Sequence, residues 1–182
     1  IWDEWGFNTE QLLHVSAKGY SGYLRPDRTE AIREYVALAK EKGIRIIFYI
    51  APGGGSAEFL ESHPDCIQAD AQGRPVSGPC MNSPYRDLLF QMIRAVAAFE
   101  IDGIFLDGPV VHQKACYCPH CQHQFREAYG KPLPTIEDVH DPLWRHFMDF
   151  RYDTIANCLR DARAALKGVR PEALIYMNSQ SF

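Results

Sequence analysis

The sequence predicts an α/β fold with a parallel sheet, and three observations support this prediction. Strand-like apolar segments alternate with segments of helical periodicity, in the order strand, helix, strand, helix, strand, helix, strand. Two helical segments begin with a capping residue followed by proline, at Ser83-Pro84 and Asp141-Pro142. A strand at 103–107 ends on an aspartate and opens into a loop, as strands of α/β barrels do. Alternation of this kind implies right-handed crossovers between parallel strands.

The first part of the chain predicts two strands and one helix. Residues 12–17 are a strand candidate, followed by a loop rich in glycine and tyrosine. Apolar residues recur at helical spacing over 29–42, with Thr29 as the N-cap and Gly43 at the left-handed stop position. The segment 44–50 is almost continuously apolar and β-branched, so it predicts a strand that is covered on both faces.

The rest of the chain continues the alternation after one interruption. Glycines and prolines are spread over 63–82, and this predicts an extended excursion. The elements expected after it are a helix from 83–84, a strand at 103–107, a short helix at 121–129, a long helix at 141–167 and a strand at 173–177 that ends at Asn178.

Four strands are too few to close an eight-stranded barrel, which typically takes about 250 residues. We therefore expect residues 1–182 to be part of a single (β/α)₈ barrel domain, with about four βα units, in a longer protein. An open half-barrel exposes two sheet edges, so self-association into a homo-oligomer is a further expectation. A complete doubly wound sheet is the alternative. However, no G-x-G-x-x-G or P-loop follows a strand, and the spacing of 53–55 fits neither motif.

Composition and charge limit the kinds of molecule that the chain is expected to bind. The net charge is −4 with no basic stripe, which argues against nucleic acid and membrane surfaces as partners. No apolar segment approaches the ~20 residues that span a bilayer. The chain opens on Ile1 rather than Met, so we expect the true N-terminus to be missing and leave the compartment open. Cysteines spaced as for zinc slightly favour the cytoplasm.

Asp107 is the main catalytic candidate. It is the last residue of its strand before Gly108-Pro109, and the carboxyl ends of barrel strands carry the chemistry of that fold. A catalytic role as nucleophile or base would suit it, whereas a loop cap or an ion pair is the structural alternative. Asp102 lies at the other end of the strand and is interpreted as structural.

Binding sites for polar substrates use aromatic faces together with amide or ammonium donors, and several residues of these types follow or lie in the predicted strands. Ordinary loop and core packing is the alternative for each of them. The candidate substrate contacts are Lys18, Tyr20, Tyr23, Tyr49 and Asn178. Arg151 lies in the middle of a helix and is interpreted as part of a solvated face.

The cysteine cluster Cys116-x-Cys118-x-x-Cys121 predicts a site for a soft metal. Structural zinc is almost always four-coordinate, so a fourth ligand is required, and His112, His120 and His123 lie close enough in sequence. Free or disulfide-bonded thiols are the alternative, and a redox role is less favoured because the thioredoxin context is absent. The remaining Cys66 and Cys158 are expected to be buried small apolar residues.

Five motifs in order resemble the glycosyl hydrolase-like 6 family, a group of carbohydrate-active barrels, over about residues 12 to 130. The motifs are His63-Pro64-Asp65, Asp70-x-x-Gly73, Cys80-Met81-Asn82-Ser83-Pro84-Tyr85, the segment 102–108 reading DGIFLDG, and the cysteine cluster with Phe125. The strand that ends in Asp-Gly is also similar to the α-L-fucosidase pattern, in which the aspartate is the nucleophile. At Cys66 this chain departs from such families, which tend to carry an aromatic residue there.

The resemblance implies a (β/α)₈ barrel that hydrolyses O-glycosidic bonds of a carbohydrate substrate, with Asp107 as nucleophile or base. Glycoside cleavage needs a second carboxyl group, which we expect beyond Phe182. The cysteine loop with one upstream cysteine is similar to the zinc site of family 42 β-galactosidases, so Cys80 is the implied fourth ligand of Cys116, Cys118 and Cys121. Four thiolates leave no open position, and a zinc ion here, within residues 80–121 and next to the catalytic site, would be structural. A catalytically silent barrel that binds carbohydrate, with the zinc loop as an interaction surface, is the alternative function.

Overall fold

The computed structural model describes residues 2–12, 26–52 and 57–178 of an α/β chain. A 3₁₀ helix at Pro64–Cys66 precedes the third strand. None of the described helices combines the length and the apolar character needed to cross a membrane. In chain order the elements are α1 (Trp2–Trp5), β1 (Thr9–Leu12), α2 (Pro26–Glu41), β2 (Arg45–Ile50), α3 (Ala57–Ser62), β3 (Ile67–Ala69), β4 (Pro75–Pro79), α4 (Tyr85–Ala97), β5 (Gly103–Leu106), α5 (Pro119–Tyr129), α6 (Pro142–Lys167) and β6 (Leu174–Met177).

The predicted parallel sheet is confirmed. Among the described residues its strand order is β1-β2-β5-β6, and every neighbouring pair is parallel. Tyr49 is in register with Phe105, and Phe105 with Tyr176, so these three residues form one row across the sheet. Because side chains alternate along a strand, Asp107 follows Phe105 on the same face at the carboxyl edge.

The described residues divide into two compact units. The first unit comprises 1–55, 88–108 and 161–180 and contains the parallel sheet. Its core is formed by apolar residues of β2 and β5 with the inward stripes of its helical segments. Side chains of this core that are at most 2% exposed include Val36, Ala39, Ile46, Phe48, Ile50, Leu89, Met92, Ile93, Val96, Ile104, Leu106, Ala162 and Leu166.

The second unit comprises the described residues within 56–87 and 109–160. It contains α3, the antiparallel pair of β3 and β4, and α5. Its apolar core surrounds the cysteines: Cys80, Cys116, Cys118 and Cys121 are buried together with Phe125, Leu133 and Phe147. The candidate metal cluster therefore lies within the core of this unit.

The extended excursion expected over 63–82 is in fact a 3₁₀ turn followed by the β3–β4 hairpin. Asp70 builds the hairpin turn: one carboxylate oxygen accepts the N–H groups of Gln72 and Arg74, each at 2.9 Å, and the other accepts Arg74 Nε at 2.7 Å. Burial raises the pKa of Asp70, but these hydrogen bonds outweigh it and hold the pKa below its ordinary value. Gly73 occupies the left-handed position that the turn needs, with φ of 76°.

Helix ends account for most other differences from prediction. Helix α2 begins at Pro26 rather than after Thr29, and α5 begins at Pro119 rather than at 121, because proline suits the first helical turn. Strand β1 spans Thr9–Leu12 instead of 12–17. Its sequence is largely polar and therefore gave no strand signal, although all four residues pair with β2. Residues 13–17 lie outside the described part. Gly130 closes α5 in the left-handed conformation, as C-cap glycines do.

Candidate functional site

Asp107 lies directly after β5, at the carboxyl edge of the parallel sheet. Its backbone N–H donates to Ile50 O at 2.9 Å, which continues the ladder by one residue beyond the strand. Gly108 then adopts φ of 71°, a left-handed conformation that lets the backbone turn away. The carboxylate is therefore carried by a rigid element and is partly accessible to solvent.

Two predicted substrate contacts lie against Asp107 itself. Tyr49 Oη donates to one carboxylate oxygen, and Asn178 Nδ2 donates to the other at 2.5 Å. Asn178 also accepts the Gly108 N–H at 3.0 Å through Oδ1, so one side chain fixes both the carboxylate and the turn that follows it. The hydrogen bond to Asp107, together with burial, raises the pKa of Tyr49 above its ordinary value. Both donors therefore orient the carboxylate from neighbouring strands.

A row of aromatic side chains, not anticipated from the sequence, extends across the sheet beside this group. The ring centroids of Tyr49 and Phe105 are 5.6 Å apart, and those of Phe105 and Tyr176 are 5.0 Å apart. Tyr176 Oη donates to Gln11 Oε1 at 3.0 Å. The sequence signal for this row was the position of Tyr49 and Phe105 between buried residues of β2 and β5. Because side chains alternate along a strand, these two lie on the face of the sheet opposite to those buried neighbours.

The other predicted residues of this site differ in outcome. Lys18, Tyr20 and Tyr23 lie outside the described residues. Asp102, at the opposite end of the strand, accepts the Ile46 N–H at 2.8 Å, which is the structural role expected of it. The residues that the structure brings together at the sheet edge are thus Asp107, Tyr49 and Asn178.

The four cysteines named from the sequence and the resemblance lie together in the second unit. The Sγ atoms of Cys80, Cys116, Cys118 and Cys121 are all within 4.8 Å of one another, and each residue is at most 3% exposed. Cys80 Sγ and Cys121 Sγ are 3.4 Å apart, well beyond a disulfide bond. A tetrahedron of sulfurs around zinc, with Zn–S bonds of about 2.3 Å, has edges of roughly 3.8 Å, so the thiols fit such an ion.

Asn82, which belongs to the third motif of the resemblance, contacts two of these sulfurs. Its backbone N–H donates to Cys80 Sγ at 3.3 Å, and its Nδ2 donates to Cys121 Sγ at 3.4 Å. Nδ2 also donates to Thr154 Oγ1 at 2.8 Å, and Thr154 is only 4% exposed. Hydrogen bonds of this kind orient metal ligands and stabilise thiolate charge.

Charge in the cluster is distributed unequally. Hydrogen bonding with Cys118, and then with Cys121 and Cys80, lowers the pKa of Cys116. Hydrogen bonding with Cys116, Cys118 and Cys121, together with burial, raises the pKa of Cys80. The N-terminus of α5 lies at the cluster, with Cys118 as its N-cap and Cys121 in its first turn, and the helix dipole favours anions there. A bound cation would replace the protons that the thiols share.

The cysteine loop, residues 109–118, is fixed by two polar side chains. Gln68, 3% exposed, donates to Val110 O at 3.0 Å and accepts the His112 N–H at 2.8 Å. Arg151 Nη2 donates to His112 O at 2.8 Å and to Gln113 O at 3.3 Å. Arg151 is half-buried and its guanidinium contacts the loop, so its interpretation as part of a solvated face was wrong. The same burial lowers the pKa of Arg151.

The histidines considered as a fourth ligand are engaged elsewhere. His120 Nε2 lies 2.9 Å from the Asp65 carboxylate, and His123 Nδ1 lies 3.4 Å from the Glu127 carboxylate. His112 Nδ1 accepts the Lys114 N–H at 3.3 Å. Cys66 and Cys158, expected to be buried, are 1% and 0% exposed.

Comparison with known proteins gives structural relatives but no sequence family. No family model and no curated protein sequence matches the chain. Among solved structures it is similar to α-L-fucosidase isoenzyme 2 from Paenibacillus thiaminolyticus, with 22% identity, a TM-score of 0.69, and coverage of 98% of this chain and 28% of that one. A β-galactosidase from the Antarctic haloarchaeon Halorubrum lacusprofundi matches with 17% identity and a TM-score of 0.76, covering 96% and 32%.

A β-galactosidase from Bacillus circulans sp. alkalophilus gives the same result, with 16% identity, a TM-score of 0.73, and coverage of 97% of this chain and 33% of that one. The chain thus spans about a third or less of the length of these structures. At such identities the likeness concerns the fold. Together with the four parallel strands and their crossover helices, it shows that the chain has the fold of part of a (β/α)₈ barrel.

Proposed function

We propose that this chain contributes to a glycoside hydrolase that cleaves O-glycosidic bonds of carbohydrates, with Asp107 as its nucleophile or general base. The observation that carries the proposal is a carboxylate at the carboxyl edge of a parallel sheet, held by one donor on each side. The structural neighbours are glycosidases by name, and this favours the same reaction class.

The geometry suits a group that must meet an electron-poor sugar carbon. Tyr49 and Asn178 limit the rotation of the Asp107 side chain, so little ordering would be required when substrate binds. An oxocarbenium-like transition state is stabilised by a fixed carboxylate, and in a retaining enzyme the same carboxylate forms the glycosyl-enzyme bond. The reaction also requires a second carboxyl group, about 5–9.5 Å from Asp107, that serves as general acid.

The direct test is Asp107→Asn, assayed on a panel of activated aryl glycosides. We expect a folded protein whose turnover falls by several orders of magnitude and is partly restored by azide, which replaces the missing nucleophile. Asp102→Asn is the matched control, because the amide oxygen can still accept the Ile46 N–H at the other end of the strand. Near-wild-type turnover in folded Asp107→Asn would reject the assignment, whereas a wild type that binds carbohydrate without turnover would favour the silent barrel.

We further propose that Cys80, Cys116, Cys118 and Cys121 hold a structural zinc ion. The proposal is supported by the buried Sγ cluster and by the N–H groups directed at it. Tetrahedral sulfur sites take zinc or iron, and four protein ligands leave no position for substrate. Such an ion would stabilise the core of the second unit without entering the reaction.

Elemental analysis of the purified protein tests the metal. We expect about one zinc per chain from this cluster, and its loss in Cys118→Ser. Cys158→Ser is the control, since Cys158 is a buried thiol outside the cluster. Stoichiometric iron with visible colour would contradict zinc, and zinc retained in Cys118→Ser would remove that residue from the ligand set.

A further inference from the structure

We infer that Asp65, Cys66 and His120 form a second metal site, which takes a divalent cation of the zinc class. Their ligand atoms, a carboxylate oxygen, Sγ and an imidazole nitrogen, all lie within 4.8 Å of one another. Zinc accepts each of these three ligand types, and three protein ligands leave the fourth position open. None of the three residues belongs to the four-cysteine cluster.

Two short elements hold the ligands together. Asp65 and Cys66 lie in the 3₁₀ helix, whose end is fixed by the Cys66 N–H donating to His63 O at 3.0 Å. His120 lies in the first turn of α5. Its Nε2 is 2.9 Å from the Asp65 carboxylate, so both groups face the same point. A cation bound there would take the place of the contact between the imidazole and the carboxylate.

One of the three ligands is buried and the other two are partly exposed, as in a metal site that is open to solvent on one side. Cys66 is 1% exposed and forms the floor. The side chains of Asp65 and His120 are 54% and 25% exposed, so the site opens toward solvent at the carboxylate. A thiolate at the floor is stable only with a positive charge beside it, and a dication supplies that charge.

The neighbouring thiols do not oppose a second cation. His120 lies between Cys118 and Cys121 in the sequence, so one helical turn would supply ligands to both sites. A dication held by four thiolates keeps a net negative charge. The field of that cluster therefore attracts a further cation rather than repelling it. The simpler alternative is an Asp65–His120 ion pair above a packed thiol, and it binds no metal.

Titration of the metal-free protein with Co²⁺ separates these alternatives. We expect about two ions per chain in the wild type, and about one in both Asp65→Asn and His120→Asn. His123→Asn is the matched control, since it changes an exposed histidine of the same helix and should keep both ions. Wild-type protein that binds a single ion, or variants that keep two at unchanged affinity, would overturn the inference.

The Cys66 ligand has its own signature. Sulfur-to-cobalt charge-transfer absorption grows with the number of Co–S bonds, so the second ion should add a weaker band than the four-thiolate site. Cys66→Ser should abolish that band, whereas Cys158→Ser should keep it. If Cys66→Ser does not fold, Asp65→Asn still decides the question, because its side chain is exposed. The result is independent of glycosidase activity, which neither measurement uses.

Discussion

The N–H groups of Asn82 should set how tightly the four-cysteine cluster binds its metal. In Asn82→Ala the Nδ2 donor to Cys121 Sγ is lost, while the backbone donor to Cys80 Sγ remains. Loss of a hydrogen bond to a charged acceptor costs about 1.5–3 kcal/mol. At ~1.36 kcal/mol per decade this corresponds to a roughly 10–100-fold weaker metal affinity, which is the range typical of such supporting residues.

Two further variants show whether the effect acts through the sulfur. Thr154→Val removes the acceptor that positions Nδ2 at 2.8 Å but leaves the donor itself, so a smaller loss is expected. Gln124→Ala removes only a contact to the Asn82 carbonyl, at 2.9 Å, and should change the affinity least. The ranking Asn82→Ala, Thr154→Val, Gln124→Ala is therefore specific to an N–H···S contribution.

The assay is competition with a colorimetric chelator, carried out on variants whose circular dichroism matches the wild type. The free energy of unfolding of the metal-free protein is measured separately, because Thr154 is buried and loses a donor in Asn82→Ala. A metal affinity of Asn82→Ala within about twofold of the wild type would refute the reasoning. An equal loss in Gln124→Ala would assign the effect to the local backbone instead.

Three other perturbations follow from the geometry. Gly103→Ala should destabilise the protein by about 1–3 kcal/mol in denaturant unfolding, since its Cβ would lie 2.8 Å from Leu174 O and 2.9 Å from Ile47 Cδ1. Phe125→Ala should cost about 3–5 kcal/mol in the same measurement, because the side chain is fully buried. The Tyr49 hydroxyl should ionise later than a free phenol in an ultraviolet titration. Its pKa is raised, so the stability that it adds is complete below pH ~10 and is lost as the pH rises through the raised value.

The sheet could be predicted because its signals are local. The segment at β2 is almost continuously apolar, and the long helix α6 has a capping aspartate: Asp141 Oδ1 accepts the Leu143 N–H at 2.9 Å. The β3–β4 hairpin could not be predicted from local sequence signals. Proline stands at both ends of β4, and the turn depends on the side chain of Asp70, which reads as an ordinary loop residue.

Of the two candidate sites, the cysteine cluster was the easier to predict. Three of its thiols lie within six residues, and the resemblance supplied Cys80. The contacts around it were hidden, because Asn82 and Thr154 are 72 positions apart and only the fold brings them together. The prediction for Arg151 was wrong for the same reason. A charged residue in the middle of a helix is expected to be solvated unless the loop that it contacts is known.

Strand geometry explains why Asp107 is held from two sides. Since Phe105 pairs with Tyr176, residues 107 and 178 extend the same register beyond the two strands, and Asn178 becomes the lateral neighbour of the carboxylate. On the other side the corresponding residue of the chain after β2 is Ala51, which has no donor. The donor comes instead from Tyr49, two residues earlier on the same face, whose long side chain reaches the next row. The length of the tyrosine side chain thus lets residue 49 supply the hydrogen bond to the carboxylate that alanine at position 51 has no side-chain donor to make.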